Sequence, residues 1–271
     1  MIVSNINPYA ETVQGKVELY TGSTLSQVCT CEDVLQDFTV ERVGESNKFF
    51  GYGICQKTNI NLIDIERAIN ISTANSFKNY YGVEGEFITP YPTFYVTEVN
   101  RDENTNTISI TAYDILYKAS ALTVSDLELP EGYDIQFLMG RVAERIGATD
   151  FVIIGEETTD ICFSLYYDNG ANFSGAENLR AVLNAIAEAT QTIYYIDNQE
   201  RLVFKRLDLR GEAVETVTRD YYFTLESKTN RRLSAICNAT ELGDNVTAEL
   251  DAAGTTQYIR NNPLLELLED G

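Results

Sequence analysis

Histidine and tryptophan are absent from this 271-residue chain, and proline occurs only five times. Without an imidazole there is no Ser-His or Cys-His nucleophile pair, no histidine general base, and little scope for a zinc site. Cysteine is scarce: Cys29, Cys31, Cys55, Cys162 and Cys237 are odd in number and mostly far apart, which excludes a disulfide framework. Cys29-Thr30-Cys31 offers at most half a metal site; two residues apart on a strand they share a face, and small buried thiols are the better reading. Five prolines and 17 glycines exclude collagen-like or linker-rich architecture. No apolar run approaches the ~18 residues of a membrane span. The start, Met1-Ile2-Val3-Ser4-Asn5, has neither the basic head nor the apolar core of a signal peptide, so a soluble, cytosolically folded chain is expected. Basic residues are few as well, 20 Lys and Arg against 41 Asp and Glu, for a net charge of −21. The densest basic pair is Arg231-Arg232, which is no phosphate-binding patch. Specific nucleic-acid binding and attachment to an anionic membrane are both disfavoured.

What is present points to a globular, β-rich protein. Hydrophobic residues make up 44% and aromatics 11%, the latter as 17 Tyr and 12 Phe. At roughly 150 residues per domain the length allows one large domain or two to three small ones. Strand-like runs occupy Lys16 to Tyr20, Asp37 to Val43, Phe49 to Lys57 and Ile60 to Asp64. Phe94 to Val99 and Ile108 to Tyr113 alternate apolar with polar around a wholly polar loop, the pattern of a hairpin. A helix is predicted after Asp134, with Ile135, Leu138, Met139, Val142 and Ile146 as its apolar stripe and Gly147 as its stop. Ser174-Gly175-Ala176-Glu177 has the form of a capping box for a second helix with Leu179, Val182, Leu183, Ile186 and Ala187 on one face. Strands are predicted between the helices at Phe151 to Ile154 and Ile161 to Tyr167. A hairpin follows at Thr192 to Ile196 and Leu202 to Leu207, and further strands include Tyr221 to Leu225 and Leu233 to Ala239. The order is β, then α/β, then β, with no exact repeat and no low-complexity tract.

Four groups of residues are candidates for chemistry. Gly51-Tyr52-Gly53 opens like a dinucleotide-binding fingerprint, but Gln56 stands where the third glycine belongs and no helix pattern follows; a glycine-kinked strand fits better. Asp102-Glu103-Asn104 and Asp197-Asn198-Gln199-Glu200 cluster oxygens that suit calcium, yet neither has the spacing of an EF-hand, and polar hairpin turns explain both. Glu156-Glu157 with Asp160 offers paired carboxylates of the kind that cleave glycosidic bonds, although 41 acidic residues make chance pairs common. The pairs Tyr80-Tyr81, Tyr166-Tyr167, Tyr194-Tyr195 and Tyr221-Tyr222 place one ring on each side of a strand; the outward ring serves a protein interface, an ordinary half-buried position or a sugar contact.

Several segments taken together resemble a known family. Phe49 to Asp64 is similar to the early strands of tail hub proteins from bacteriophages, prophages and phage-like injection systems. Thr93 to Lys118 resembles that family's hairpin ending in an A-Y-D-x-L-Y signature, here Ala112-Tyr113-Asp114-Ile115-Leu116-Tyr117. Asn178 to Asp208 resembles its helix-and-hairpin unit, and Asn262-Pro263-Leu264-Leu265 its N-P-hydrophobic segment. The resemblance implies an α+β fold, mainly β, with two β-barrel-like tube domains and an intervening α/β domain. The expected boundaries are 1–122 for the first barrel-like hub domain, 123–208 for the α/β domain with two helices and hairpins, and 209–271 for a second, incomplete β domain. It also implies a homotrimer whose paired barrels form a pseudo-sixfold ring, adapting a hexameric tail tube to a threefold tip. The implied partners are the tail tube or distal tail protein, the tape-measure protein and a tip fibre or spike. DNA would pass through without specific binding, and an acidic lumen would keep it mobile. The implied place is the virion tail tip, after synthesis in the bacterial host cytoplasm. No catalytic, cofactor-binding or metal-ligating residue is carried over, and no cofactor. The alternatives are a tail-associated cell-wall-degrading enzyme and a host-binding adhesion module.

Overall fold

The structure, a computed structural model, describes residues 13–44, 48, 50–83, 86–155, 166–167, 170–206, 234–235, 256–257 and 262–265. The N-terminal part is a run of antiparallel strands: β1 (Val13–Thr21), β2 (Thr24–Thr30), β3 (Leu35–Val43), β4 (Tyr52–Ile63), β5 (Asn75–Val83), β6 (Glu86–Ile88), β7 (Phe94–Asp102) and β8 (Thr107–Tyr113). They are ordered β3-β4-β8-β7-β5-β1-β2, with β6 added to β5. The alternation expected of β7 and β8 is realised: Phe94, Val96, Ile108, Ile110 and Ala112 are buried on one face. They join Val17, Leu19, Cys29, Leu35, Ile60, Leu62 and Phe77 in a first core. A bulge between Val96 and Glu98 ends the inward row of β7.

The sheet curls over this core. Asn79 on β5 donates through Nδ2 to Thr58 Oγ1 on β4 at 2.7 Å, across the interior rather than along a ladder. Thr58 in turn donates to the Thr39 carbonyl of β3 at 2.8 Å. The two edges β2 and β3 are neighbours in sequence, but among the described residues no ladder joins them. The result is a large, curled, mixed sheet rather than the closed barrel expected; most of the second barrel assigned to 209–271 lies outside the described residues.

The chain then passes through 3₁₀ turns at Ile115–Ser120 and Val124–Leu127. Next come β9 (Tyr133–Asp134), α1 (Ile135–Ile146), β10 (Phe151–Ile154), β11 (Tyr166–Tyr167), α2 (Leu179–Thr190), β12 (Thr192–Ile196) and β13 (Leu202–Arg206). Helix α1 has the predicted ends: Asp134 accepts from the Phe137 N–H at 2.6 Å, and Gly147 closes it with φ of 92°. Helix α2 does not begin at the predicted capping box. Its N-cap is Asn178, whose Oδ1 accepts from the Ala181 N–H at 2.9 Å. Ser174 and Glu177 instead close a turn, and Asn178 bridges Thr123, so tertiary pairing holds this stretch out of the helix. The predicted strand Ile161 to Tyr167 is described only at Tyr166–Tyr167, and the strands predicted from 221 onward fall almost wholly outside the described residues.

Both helices, β12 and β13 enclose a second core built on Ile115, Leu116, Leu138, Val142, Leu183, Ile186 and Phe204. The cores share one sheet. β12 pairs in parallel with the first residues of β4, Ile193 to Tyr52 and Tyr194 to Gly53, and β13 and β10 extend the sheet beyond it.

Candidate functional site: a buried joint between two cores

The A-Y-D-I-L-Y signature marks the point where the chain crosses between the cores. Ala112 is buried in the first and Ile115 and Leu116 in the second. Asp114 stands between them, fully buried. A carboxylate there is costly unless donors surround it, and they do. Oδ2 accepts from the Gln56 N–H at 2.7 Å. Oδ1 accepts from the Leu116 N–H at 3.0 Å and from Cys55 Sγ at 3.3 Å. Burial nevertheless pushes the Asp114 carboxyl up to about 6, outweighing the Gln56, Cys55 and Leu116 donors and the Arg180 charge that pull it down. Burial and the same carboxylate push the Cys55 thiol well above its ordinary value, so this cysteine is held unreactive.

Gln56 ties Asp114 to the second sheet segment, donating through Nε2 to the Ile196 carbonyl at 3.1 Å. Arg180, in the first turn of α2, donates to the Gly53 carbonyl at 3.1 Å and lies 5.4 Å from the centre of the Tyr194 ring. Tyr194 is buried and donates to Asn184 Oδ1 at 2.6 Å. The glycines of Gly51-Tyr52-Gly53 exist for these neighbours. A Cβ on Gly53 would collide with the Tyr194 ring, and one on Gly51, at φ of 79°, with Glu188. No helix follows; the motif opens β4.

A second tie lies at the β12–β13 turn. Glu200 Oε1 accepts from both the N–H and the hydroxyl of Thr93, each at 2.7 Å. In the same turn Asp197 accepts from the Gln199 and Arg201 N–H groups at 2.9 Å, and its Oδ2 is held by the Arg201 guanidinium. The Asp197 oxygens are thereby committed to the turn rather than offered to a cation. Asp102 likewise caps the Asn104 N–H at 2.9 Å on an exposed tip, and that bond holds its carboxyl below the usual range. Among the described residues no group of three His, Cys, Asp or Glu side chains is placed to hold a metal ion.

The remaining candidates are dispersed. Cys29 is buried but Cys31 is exposed, because β2 ends at Thr30 and the shared face ends with it. Glu156, Glu157, Asp160, Cys162, Tyr221, Tyr222, Arg231, Arg232 and Cys237 lie outside the described residues. Tyr194 and Tyr167 turn inward, Tyr195 is half-buried and Tyr166 is exposed. Tyr80 and Tyr81 are both half-buried, and Tyr80 donates to Glu18 Oε2 at 2.8 Å under the ammonium of Lys16. The joint itself was marked in sequence by one anomaly: Gln56 falls on the inward row of β4 with Thr58, Ile60 and Leu62, a polar residue where an apolar one is expected.

No family model and no curated protein matches the chain. Three solved structures of tail proteins are similar to it. For the 43 kDa tail protein of prophage MuSo2 from Shewanella oneidensis, the identity is 14% and the TM-score 0.41, covering 86% of this chain and 61% of that one. For the tail protein from Neisseria meningitidis MC58 the identity is 10% and the TM-score 0.45, covering 88% and 60%. For the prophage tail protein gp18 from Listeria monocytogenes EGD-e the identity is 16% and the TM-score 0.41, covering 78% and 56%. The chain thus spans about three-fifths of the length of these proteins.

Proposed function

We propose that this chain is a structural, non-catalytic component of a phage or prophage tail. In this reading it is the hub of the tail tip, a homotrimer that adapts the hexameric tail tube to a threefold tip and lines part of the DNA-ejection conduit. One observation carries the reading. Three of the four segments that resemble tail hub proteins, well separated along the chain, meet at one joint. Gly53 and Gln56 come from the first, Asp114 from the second, and Arg180 and Ile196 from the third. Asn262 of the fourth is bonded to α2, the helix that carries Arg180.

The tail tube or distal tail protein would sit above the ring, a fibre or spike below it, and the tape-measure protein and then DNA at its centre. Residues 1–122 would form the first tube domain, 123–208 the α/β domain and 209–271 the second β domain. The net charge of −21 supports passage of DNA without binding, by repulsion that salt limits to about 8 Å at physiological strength. The working place is the virion tail tip, after synthesis in the bacterial host cytoplasm. The test is solution mass by light scattering at several protein concentrations and two salt levels. A mass near three times 30.4 kDa is expected, and a monomer under every condition overturns the homotrimer.

A further inference from the structure

Arg206 and Asn262 both lie at the C-terminal end of α2, on the second core. Arg206 Nη2 donates to Gln191 Oε1 at 3.3 Å, just past the end of α2. Asn262 Nδ2 donates to the Ala185 carbonyl at 2.9 Å and to Glu188 Oε2 at 3.2 Å. Positions 188 and 191 are about 4.5 Å apart along a helix axis. Residues 262–265 form a small, internally bonded turn. Asn262 Oδ1 accepts from the Leu264 N–H and its carbonyl from the Leu265 N–H, both at 2.9 Å. Pro263 has no N–H to leave unpaired. Leu264 is buried among the second-core residues, and its carbonyl accepts from the Tyr167 hydroxyl at 2.7 Å.

We infer that Tyr167 and the α2 face at Ala185 and Glu188 form a docking site for a short Asn-Pro-Leu turn, filled by the chain's own Asn262–Leu265 as a strap. Recognition has three separable parts: an amide clamp on the helix, a proline-shaped turn and an aliphatic knob. The ligand class is therefore a short peptide of the form Asn-Pro-aliphatic. The site depends on neither the trimer nor the conduit. The strap acts as a removable plug: the socket is closed in cis because its ligand is tethered beside it at high effective concentration.

The test uses the full chain with Leu264→Ala and a fluorescein-labelled peptide, Asn-Asn-Pro-Leu-Leu-Glu. Two results are expected. Amide exchange at Asn262, Leu264 and Leu265 and in the last turn of α2 accelerates at least about tenfold more than it does in β7 and β8. The peptide also binds Leu264→Ala saturably and binds the unaltered chain at least about tenfold more weakly. A control peptide with alanine replacing the second Asn and the first Leu should not bind. Failure of the peptide to bind Leu264→Ala, equal binding of the control, or uniform acceleration through β7 and β8 each overturns the docking site. If Leu264→Ala does not fold, Asn262→Ala, which removes the clamp and keeps the knob, takes its place with the same readouts.

Discussion

Replacing Asp114 by asparagine tests whether burial or hydrogen bonding governs the joint. Two backbone N–H groups and a thiol point at this carboxylate, which alone would hold it ionised. Burial pushes the other way and prevails, lifting the group from 3.8 to about 6. A carboxyl whose folded pKa is raised favours the fold most where it is neutral in both states, below the unfolded value. Its contribution is lost as pH climbs from about 4 to about 6 and is constant above that. A shift of roughly two units corresponds to about 3 kcal/mol. The substituted amide cannot ionise, so the wild type minus Asp114→Asn difference in unfolding free energy isolates this group from every other titration. Urea melts at half-unit steps from pH 3 to pH 7.5 should show the wild-type advantage shrinking by about 3 kcal/mol, with the fall complete near pH 6.5. An advantage that is flat or grows with pH would mean the donors dominate, and the argument from burial would be wrong.

Two further sites probe the ties between the cores. Gly53→Ala drives a methyl into the Tyr194 ring and disturbs its bond to Asn184, so a loss of about 3 kcal/mol is expected in thermal melts. Adding Tyr194→Leu should recover part of that loss, and a change below about 0.5 kcal/mol for Gly53→Ala alone would contradict the contact. Glu200→Ala strands the Thr93 N–H and should cost about 2 kcal/mol, whereas Glu200→Gln keeps an acceptor and should cost under about 1; equal losses would show that Glu200 matters for its turn rather than for its grip on Thr93.

Local rules were legible where neighbours agreed with them. Asp134 and Gly147 bound α1 because cap, stripe and stop all lie within one segment. The β7–β8 pair was legible because its inward rows are purely apolar as far as the bulge. β4 read as two strands because Thr58 and Asn59 interrupt its apolar pattern; Thr58 is satisfied by Asn79 and Thr39, partners 21 and 19 residues away. β2 and β5 carry turn-like residues such as Ser26 and Asn75, and ladders on their neighbours, not propensity, make them strands. The N-cap of α2 was misplaced for the same reason, since the pairing of 178 with 123 is invisible from one segment alone. The joint combines residues up to 140 apart, as from Gln56 to Ile196, and no local pattern encodes that distance. Gln56 on an apolar row shows only that a partner must exist.

The double service of β4 has a consequence for how the molecule comes apart. Its first residues hold β12 of the second core, and its later ones lie between β3 and β8 of the first. Melting this one strand therefore removes a wall from both compartments at once. A fragment starting after Ile63 would lack the strand on which its own sheet is seeded. Melts followed from the two cores are therefore expected to coincide, with β4 as the hinge pin of a single gate.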